Sequence, residues 1–270
     1  MSKIFYIIIV IFIILMIFYF TIIHNQYKDC FIVTGKFGNN NKFKNDVLKA
    51  SDIIKREKPK NFKAYYEFPE FILTDKKWES HLKFLKDPED ISKKGGGYWF
   101  WKAPIIKHHL KEMKDNEYYI HLDLDKTGNF FLKIAIPYLV YRTKALKADL
   151  CLIILPFKEL EWTKMEVLDY FGLEKTDNNS KDIDSFQYNA NIIIIRKNAN
   201  TLKFIEEWEK LKSNWKLLND DPSSNNEHNF FVEHRHDQSL LSLLAKKYTK
   251  DRILSYDRYL SYIKLKEFSD

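Results

Sequence analysis

The stretch Tyr-Tyr-Ile-His-Leu-Asp-Leu-Asp, residues 118 to 125, is a short apolar strand that ends in two carboxylates, Asp123 and Asp125. Alternate side chains of an extended chain point to the same side, so both carboxylates can face one site. Open α/β folds bind their ligands at the carboxyl edge of the sheet. A hard divalent cation that carries a diphosphate prefers carboxylate oxygens, with phosphate and water completing its shell. Such triplets also occur as solvated loop acids, so the surrounding sequence decides what this one means.

Apolar strands alternate with helical patterns on both sides of this stretch. This order predicts a three-layer, Rossmann-like α/β domain with a mostly parallel central sheet. The predicted strands are 30–34, 62–68, 118–122, 150–155 and 191–195. The predicted helices are 43–56, 78–85, 102–113, 130–144, 162–171, 201–215 and 238–247.

The composition suits one folded domain and excludes several other classes. At 270 residues with 16% aromatic residues, the chain can bury a full core. The net charge is +7, yet no Arg-rich stripe with interleaved aromatic residues is present, so no nucleic-acid partner is predicted. A mildly basic surface suits an enzyme of anionic sugar nucleotides or a surface near anionic lipid. Two cysteines, Cys30 and Cys151, make neither a disulfide framework nor a metal site.

The N-terminal segment predicts a membrane anchor. Ile4 to Ile23 contains no charge, glycine or proline, and a helix of this length spans roughly 30 Å. No small-residue cleavage site follows, so we expect an uncleaved signal anchor over residues 1–25 and one globular domain over residues 26–270. The very short N-terminal flank favours a single-pass type II arrangement, in a secretory-pathway or a viral or host membrane. The glycosylation pattern at 178–180 fits a lumenal domain.

Three glycines, residues 95–97, precede a helix that carries Lys102 near its start. Glycines ahead of a helix let backbone amides approach a phosphate, and Lys102 would add a point charge. The alternative is a flexible linker followed by a core aromatic cluster, and we favour that alternative for Trp99 and Trp101. For Lys102 both interpretations stand equally.

Asn189 and Asn191 stand directly before a fully apolar strand. Their carboxamides could donate to and accept from sugar hydroxyls. Turn chemistry explains one such asparagine more comfortably than two.

The segment His-Arg-His-Asp-Gln-Ser, residues 234–239, opens the last predicted helix. Asp237 could be an ordinary N-cap. The density of polar residues also suits a cation or phosphate site, or a carboxylate aimed at a reacting carbon. His121 could support the acidic pair, but we favour a simple buried strand histidine.

The order of these motifs resembles that of GT-A fold glycosyltransferases, over roughly residues 30–250. The chain is similar to the glycogenin and bacterial galactosyltransferase-like group, and segments 97–102 and 234–239 resemble related enzymes of microbes and large DNA viruses. The resemblance implies that Asp123 and Asp125 hold Mn²⁺ or Mg²⁺ against a nucleotide diphosphate, with Asp125 favoured as the direct ligand. It also implies that Asn189 and Asn191 contact the donor sugar. Asp237 and Gln238 would then lie beneath the anomeric carbon.

Two features depart from the family pattern. Asn191 stands where the family has glycine, and the late C-terminal metal-binding histidine is not evident. His234, His236 or water could take the place of that ligand, and we assign it to His236.

The sequence therefore predicts a membrane-anchored, metal-dependent glycosyltransferase with a nucleotide-sugar donor and a glycan, lipid or protein acceptor, with retention favoured. A catalytically inactive, membrane-tethered module that binds nucleotide sugar or glycan is the alternative. A metal-dependent phosphohydrolase that uses the same acids is a third option.

Overall fold

The structure, a computed structural model, describes residues 3–19, 21, 25–37, 41–86, 95–123, 131–173, 183–248, 253–257 and 263–266. The strands are β1 Cys30–Gly35, β2 Asn61–Tyr65, β3 Tyr118–Leu122, β4 Leu150–Lys158, β5 Phe186–Arg196, β6 Ile253–Asp257 and β7 Ile263–Lys266. The α-helices are α1 Lys3–Phe18, α2 Asn41–Arg56, α3 Glu70–Leu73, α4 Glu79–Phe84, α5 Lys102–Glu112, α6 Ile136–Ala145, α7 Glu159–Trp162, α8 Met165–Tyr170, α9 Ala199–Ser213, α10 Trp215–Leu218 and α11 Asp237–Lys247.

Helices cover both faces of the central sheet, as predicted. Successive residues of a strand point to opposite faces. In β1, Val33 packs into the core beneath α5, α9 and α11, whereas Ile32 packs against α2 and α6 on the other face. Both side chains are buried, which explains why the central strands read as continuous apolar runs. The three-layer α/β architecture is confirmed.

The sheet is mostly parallel, as predicted: of the seven described strands, β1, β2, β3, β4 and β6 run in one direction, and β5 and β7 run in the other. Its strand order is β2-β1-β3-β5-β4-β6-β7. β1 runs parallel to β2 and β3, and β4 runs parallel to β6. β5 lies between β3 and β4 and is antiparallel to both, and β7 is antiparallel to β6. A strand that is buried on both faces has the same apolar pattern in either direction, so the pattern did not reveal the reversal.

Two local predictions also need correction. The helix expected over 162–171 is shorter: it begins only at Met165 as α8, whereas Trp162 is the last residue of α7. Gly172 then ends α8 with a φ of +64°, the left-handed conformation that glycine adopts without strain. The pair of strands β6 and β7 after residue 250 was not expected.

At the N-terminus, α1 spans sixteen residues, and its side chains from Ile4 to Ile17 are exposed. In the part of the chain that the structure describes, no helix combines the length and the apolar character needed to cross a membrane. The membrane span predicted over Ile4 to Ile23 is therefore not confirmed. Asp125 and the glycosylation pattern at 178–180 lie outside the described residues.

Candidate functional site

Asp123 follows β3 directly, and both oxygens of its buried carboxylate accept hydrogen bonds. Oδ2 accepts from Lys102 Nζ at 2.8 Å, and Oδ1 accepts from His121 Nε2 at 3.2 Å. Burial alone would raise the pKa of Asp123, but the Lys102 ammonium and His121 hold that pKa well below its usual range. Burial lowers the pKa of His121, which makes it a neutral donor. His121 thus supports Asp123, the alternative that the sequence analysis disfavoured.

The ammonium of Lys102 joins three segments that the sequence singled out. Besides Asp123, Nζ contacts the backbone oxygen of Ala190 at 3.1 Å and Asp237 Oδ2 at 3.3 Å. Lys102 is the first residue of α5, where the helix dipole disfavours a cation by about 0.3–1 kcal/mol. The two carboxylates outweigh this cost: burial alone would lower the pKa of Lys102, yet Asp123 and Asp237 raise it. The charge predicted to meet a phosphate is therefore shared by two carboxylates.

Asp237, the first residue of α11, is bracketed by two lysines. Lys212 Nζ lies 3.8 Å from Asp237 Oδ2 and 3.9 Å from the centre of the Trp208 ring. The contacts of Lys102 and Lys212 with Asp237 Oδ2 are ion pairs, since that oxygen accepts no hydrogen bond from either ammonium. Burial lowers the pKa of Lys212 to about 7, although Asp237 acts in the opposite direction. The indole of Trp208 donates to the Asp237 backbone oxygen at 3.2 Å and so ties α9 to the start of α11.

The glycine run forms a left-handed turn before α5. All residues from Gly95 to Trp99 have positive φ values. This conformation costs a non-glycine residue about 1–2 kcal/mol, so Tyr98 and Trp99 are strained. Packing holds the turn: a Cβ added to Gly96 would lie 2.8 Å from Phe37 Cβ. Backbone conformation and close packing therefore explain the three glycines without a phosphate.

A pocket opens beside this turn, at the carboxyl ends of β1 and β3. It combines aromatic walls with a few charged groups, as small-molecule sites commonly do. Its described lining consists of Gly35, Lys36, Phe37, Gly95, Trp99, Trp101 and Asp123. Trp101 is buried in the core, as expected, whereas Trp99 is only half-buried.

The antiparallel direction of β5 brings the predicted asparagines to Asp123. The Asp123 backbone N–H donates to the Asn191 backbone oxygen at 2.8 Å. Asn189 is buried, and its Oδ1 accepts from the Asn191 N–H at 2.6 Å. One side of the Asn189 carboxamide is therefore bound to the backbone, and the half-exposed Asn191 remains closer to solvent. Their contact with a sugar stays a prediction.

Gln238 and His236 flank Asp237 at the start of α11. Gln238 is half-buried, and its Nε2 donates to Gln187 Oε1 at 2.8 Å. His236 has a φ of +48°, an unfavourable conformation for an L-residue. Its Nδ1 donates to the Leu218 backbone oxygen at 2.9 Å. Strain of this kind concentrates at functional sites, where the surrounding structure holds it in place.

The predicted metal site does not fit the described residues taken alone. Among them, no group of three or more His, Cys, Asp or Glu side chains is arranged to hold a metal ion. Both oxygens of Asp123 are hydrogen-bonded, and His236 lies 3.6 Å from Asp220 Oδ1. Asp125 lies outside the described residues, so the Mn²⁺ or Mg²⁺ site stays a prediction.

Three residues near the site were not predicted from the sequence, and all three are fully buried: Lys212, Glu159 and Gln187. Lys212 had a detectable signal: it falls four residues after Trp208, on the apolar stripe of α9, where a lysine needs a buried partner. Gln187 alternates with Asn189 and so shares its side of β5. Glu159 begins a short helix and carries no comparable signal.

Comparisons with known proteins give one weak likeness. No protein-family model matches the chain, and no curated protein matches it. The chain is similar to a solved glycosyltransferase involved in the glycosylation of the major capsid of PBCV-1, with 13% identity and a TM-score of 0.29. The match covers 76% of this chain and 80% of that chain. A TM-score this low establishes neither a shared fold nor a shared activity.

Proposed function

We propose that this protein is a glycosyltransferase that transfers a sugar from a nucleotide-diphosphate donor to a glycan, lipid or protein acceptor. The observation that carries the proposal is the convergence on Lys102. Its ammonium lies within 3.3 Å of groups from the end of β3, from β5 and from the first residue of α11. Separate polar motifs thus meet at one edge of the sheet, beside a pocket.

The chemistry of glycosyl transfer suits this arrangement. Negative charge grows on the departing diphosphate while the anomeric carbon becomes cationic. Preorganised groups aimed at developing charge supply much of the rate acceleration of enzymes. In the proposal, the Asp237 carboxylate and the Gln238 carboxamide stabilise the anomeric carbon. Lys36 and the aromatic walls at Phe37 and Trp99 hold the nucleotide diphosphate.

The proposal has three finer parts. Retention of anomeric configuration is favoured. Asp125 provides the direct contact to Mn²⁺ or Mg²⁺. The exposed apolar side chains of α1 support attachment to a lipid bilayer as a type II protein. Extraction of membranes at alkaline pH tests the attachment, since an anchored chain stays in the pellet.

A panel of nucleotide-diphosphate sugars tests the activity. Full-length protein in mild detergent is assayed for sugar transfer and for donor hydrolysis, with Mn²⁺, with Mg²⁺ and with a chelator. Asp237→Asn should lower turnover by roughly a hundredfold. Asp52→Asn, which changes a carboxylate that is 67% exposed, is the matched control and should leave turnover unchanged.

Three outcomes contradict the proposal or its parts. A nucleotide sugar that raises the melting temperature without turnover indicates the inactive binding module instead. Release of inorganic phosphate without transfer of sugar indicates a phosphohydrolase. Full activity of Asp125→Ala in the presence of a chelator removes the metal from the proposal.

A further inference from the structure

We infer that Glu159 and Gln187 are positioning residues that set which end of the Gln238 carboxamide is presented to the substrate. The inference rests on the proposed function, because it assigns Gln238 to the reaction. Its physical basis is a chain of buried hydrogen bonds that fixes the direction of each amide in turn.

Glu159 is the fully buried start of this chain. Its Oε1 accepts from Lys246 Nζ and from Ser242 Oγ, each at 2.5 Å. Its Oε2 accepts from Thr163 Oγ1 at 2.8 Å and from Gln187 Nε2 at 3.0 Å. The carboxylate is thus an acceptor on both sides, and the Lys246 ammonium balances its charge.

The surroundings of Gln187 allow its carboxamide only one direction. Besides Glu159, three acceptors share the two hydrogens of its Nε2: the Trp162 backbone oxygen at 3.1 Å, Thr163 Oγ1 at 3.0 Å and Ser239 Oγ at 3.2 Å. The Thr163 hydroxyl donates its hydrogen to Glu159, and the Ser239 hydroxyl donates its hydrogen to the Trp162 backbone oxygen at 2.8 Å. All four neighbours can therefore only accept, so the amide nitrogen must face them.

The direction of Gln187 then dictates that of Gln238. With its nitrogen turned toward Glu159, Gln187 presents Oε1, which accepts from Gln238 Nε2 at 2.8 Å. A carboxamide that donates from its nitrogen here leaves its oxygen for another partner. Since Gln238 is half-buried next to Asp237, the oxygen is the end that can face an electron-poor anomeric carbon.

Glu159→Gln replaces one acceptor oxygen of this side chain with a donor nitrogen and hardly changes its size. The oxygen of the new carboxamide remains with the Lys246 and Ser242 donors, so its nitrogen faces Gln187 Nε2. Two donors then oppose each other, while the Trp162 backbone oxygen still requires a donor. No direction of the Gln187 carboxamide satisfies both neighbours, so its single direction is lost and it can turn. The turn presents a nitrogen to Gln238, whose carboxamide must turn as well.

Two measurements on the full-length protein test this relay. The first is the side-chain amide NMR signal of Gln238, assigned by comparison with Gln238→Ala in protein labelled with ¹⁵N-glutamine. The second is donor hydrolysis of the nucleotide sugar found with the panel. Glu159→Gln should shift the Gln238 signal and lower kcat by roughly tenfold or more, because a reacting group is misplaced, while KM stays near its original value.

Ser242→Ala is the matched control. It removes a donor to the other oxygen of Glu159 and the acceptor of the Tyr188 backbone N–H, but it removes no hydrogen bond of the Gln187 carboxamide. We expect it to lower the melting temperature and to leave both the Gln238 signal and kcat unchanged. If Glu159→Gln fails to fold, Gln187→Met cuts the relay while Glu159 keeps its pairing with Lys246, and it should change the same two readouts.

The results separate the relay from the proposed function. A folded Glu159→Gln or Gln187→Met protein whose Gln238 signal is unchanged overturns the relay. A Ser242→Ala protein that shifts the Gln238 signal equally also overturns it, since the effect would then be general loosening. If the parent protein turns over no nucleotide sugar, the proposed function fails, and the NMR signal alone decides on the relay.

Discussion

Replacing Lys102 with methionine tests the central feature of the site. Methionine keeps an unbranched apolar side chain of similar length and removes the ammonium that Asp123 and Asp237 share at 2.8 and 3.3 Å. Lys102 is 1% exposed, so water cannot take the place of the lost charge. Breaking a buried ion pair by removing one partner costs about 3–5 kcal/mol, because a charge is left uncompensated.

Two effects oppose the destabilisation caused by Lys102→Met, and both are smaller than it. Removing a cation from the first turn of α5 returns only about 0.3–1 kcal/mol. Lys212, at 3.8 Å from Asp237, compensates only one of the two carboxylates closely, and burial holds its pKa at about 7. The net loss is a large part of the roughly 5–15 kcal/mol that stabilises a typical native protein. At about 2–4 °C per kcal/mol for a domain of this size, the melting temperature should fall by about 10 °C.

Thermal unfolding of the full-length protein in mild detergent, followed by tryptophan fluorescence at neutral pH, measures the effect. Lys111→Met changes an exposed lysine of the same helix and should stay within about 0.5 kcal/mol of the parent. Adding Asp123→Asn to Lys102→Met removes the carboxylate that Lys212 does not closely compensate and should recover part of the loss. Stability of Lys102→Met equal to that of Lys111→Met, or a further loss of stability on adding Asp123→Asn to Lys102→Met, would show that the Lys102 ion pairs do not stabilise the fold.

Three further predictions concern stability. Burial lowers the pKa of His81 from 6.5 to about 4, so the unfolded chain binds more protons than the folded chain between these pH values. The free energy of unfolding should therefore keep its full value above pH 6.5 and fall by up to about 3 kcal/mol toward pH 4. Unfolding curves that do not change over this range would contradict the prediction. Gly96→Ala places a Cβ 2.8 Å from Phe37 Cβ in a residue of left-handed conformation. It should lower the melting temperature clearly more than Gly172→Ala, because Gly172 has a similar φ but no atom within 4 Å of the added Cβ. Equal melting temperatures would exclude the packing argument. Asn198→Ala removes the capping box of α9 and should lower the free energy of unfolding by about 1 kcal/mol in urea titrations, whereas a null result would mean that the cap is redundant.

Local sequence patterns predicted most elements of the fold. The apolar runs at Cys30 and Leu150 are strands, and the helical spacing after Thr201 and Gln238 marks α9 and α11. These predictions succeeded because burial of one or both faces leaves a periodic trace in the sequence. The ends of the elements were predicted less accurately, as at Trp162, which ends α7 instead of beginning the next helix.

Several residues of the candidate site were predicted, but the contacts between them were not. Asp123, Asn189 and Asp237 stand out as polar residues against apolar runs, and the structure brings all three segments together at Lys102. Whether Lys102 meets a phosphate or a carboxylate depends on which side chains fold against it. The buried relay through Glu159 was equally hidden, because its members are far apart in sequence and each is unremarkable alone.

The sequence by itself determined that this chain folds as layers of helix and sheet, with acids at a strand end and polar residues at a helix start. Only the tertiary structure decided the direction of β5. In a parallel sheet, Asn189, at the beginning of its strand, would lie at the edge opposite Asp123. The antiparallel register pairs Leu122 with Ile192 and so carries Asn191 to Asp123. Strand direction depends on how hydrogen bonds are paired across the sheet, and a strand that is buried on both faces carries no trace of that pairing in its own residues.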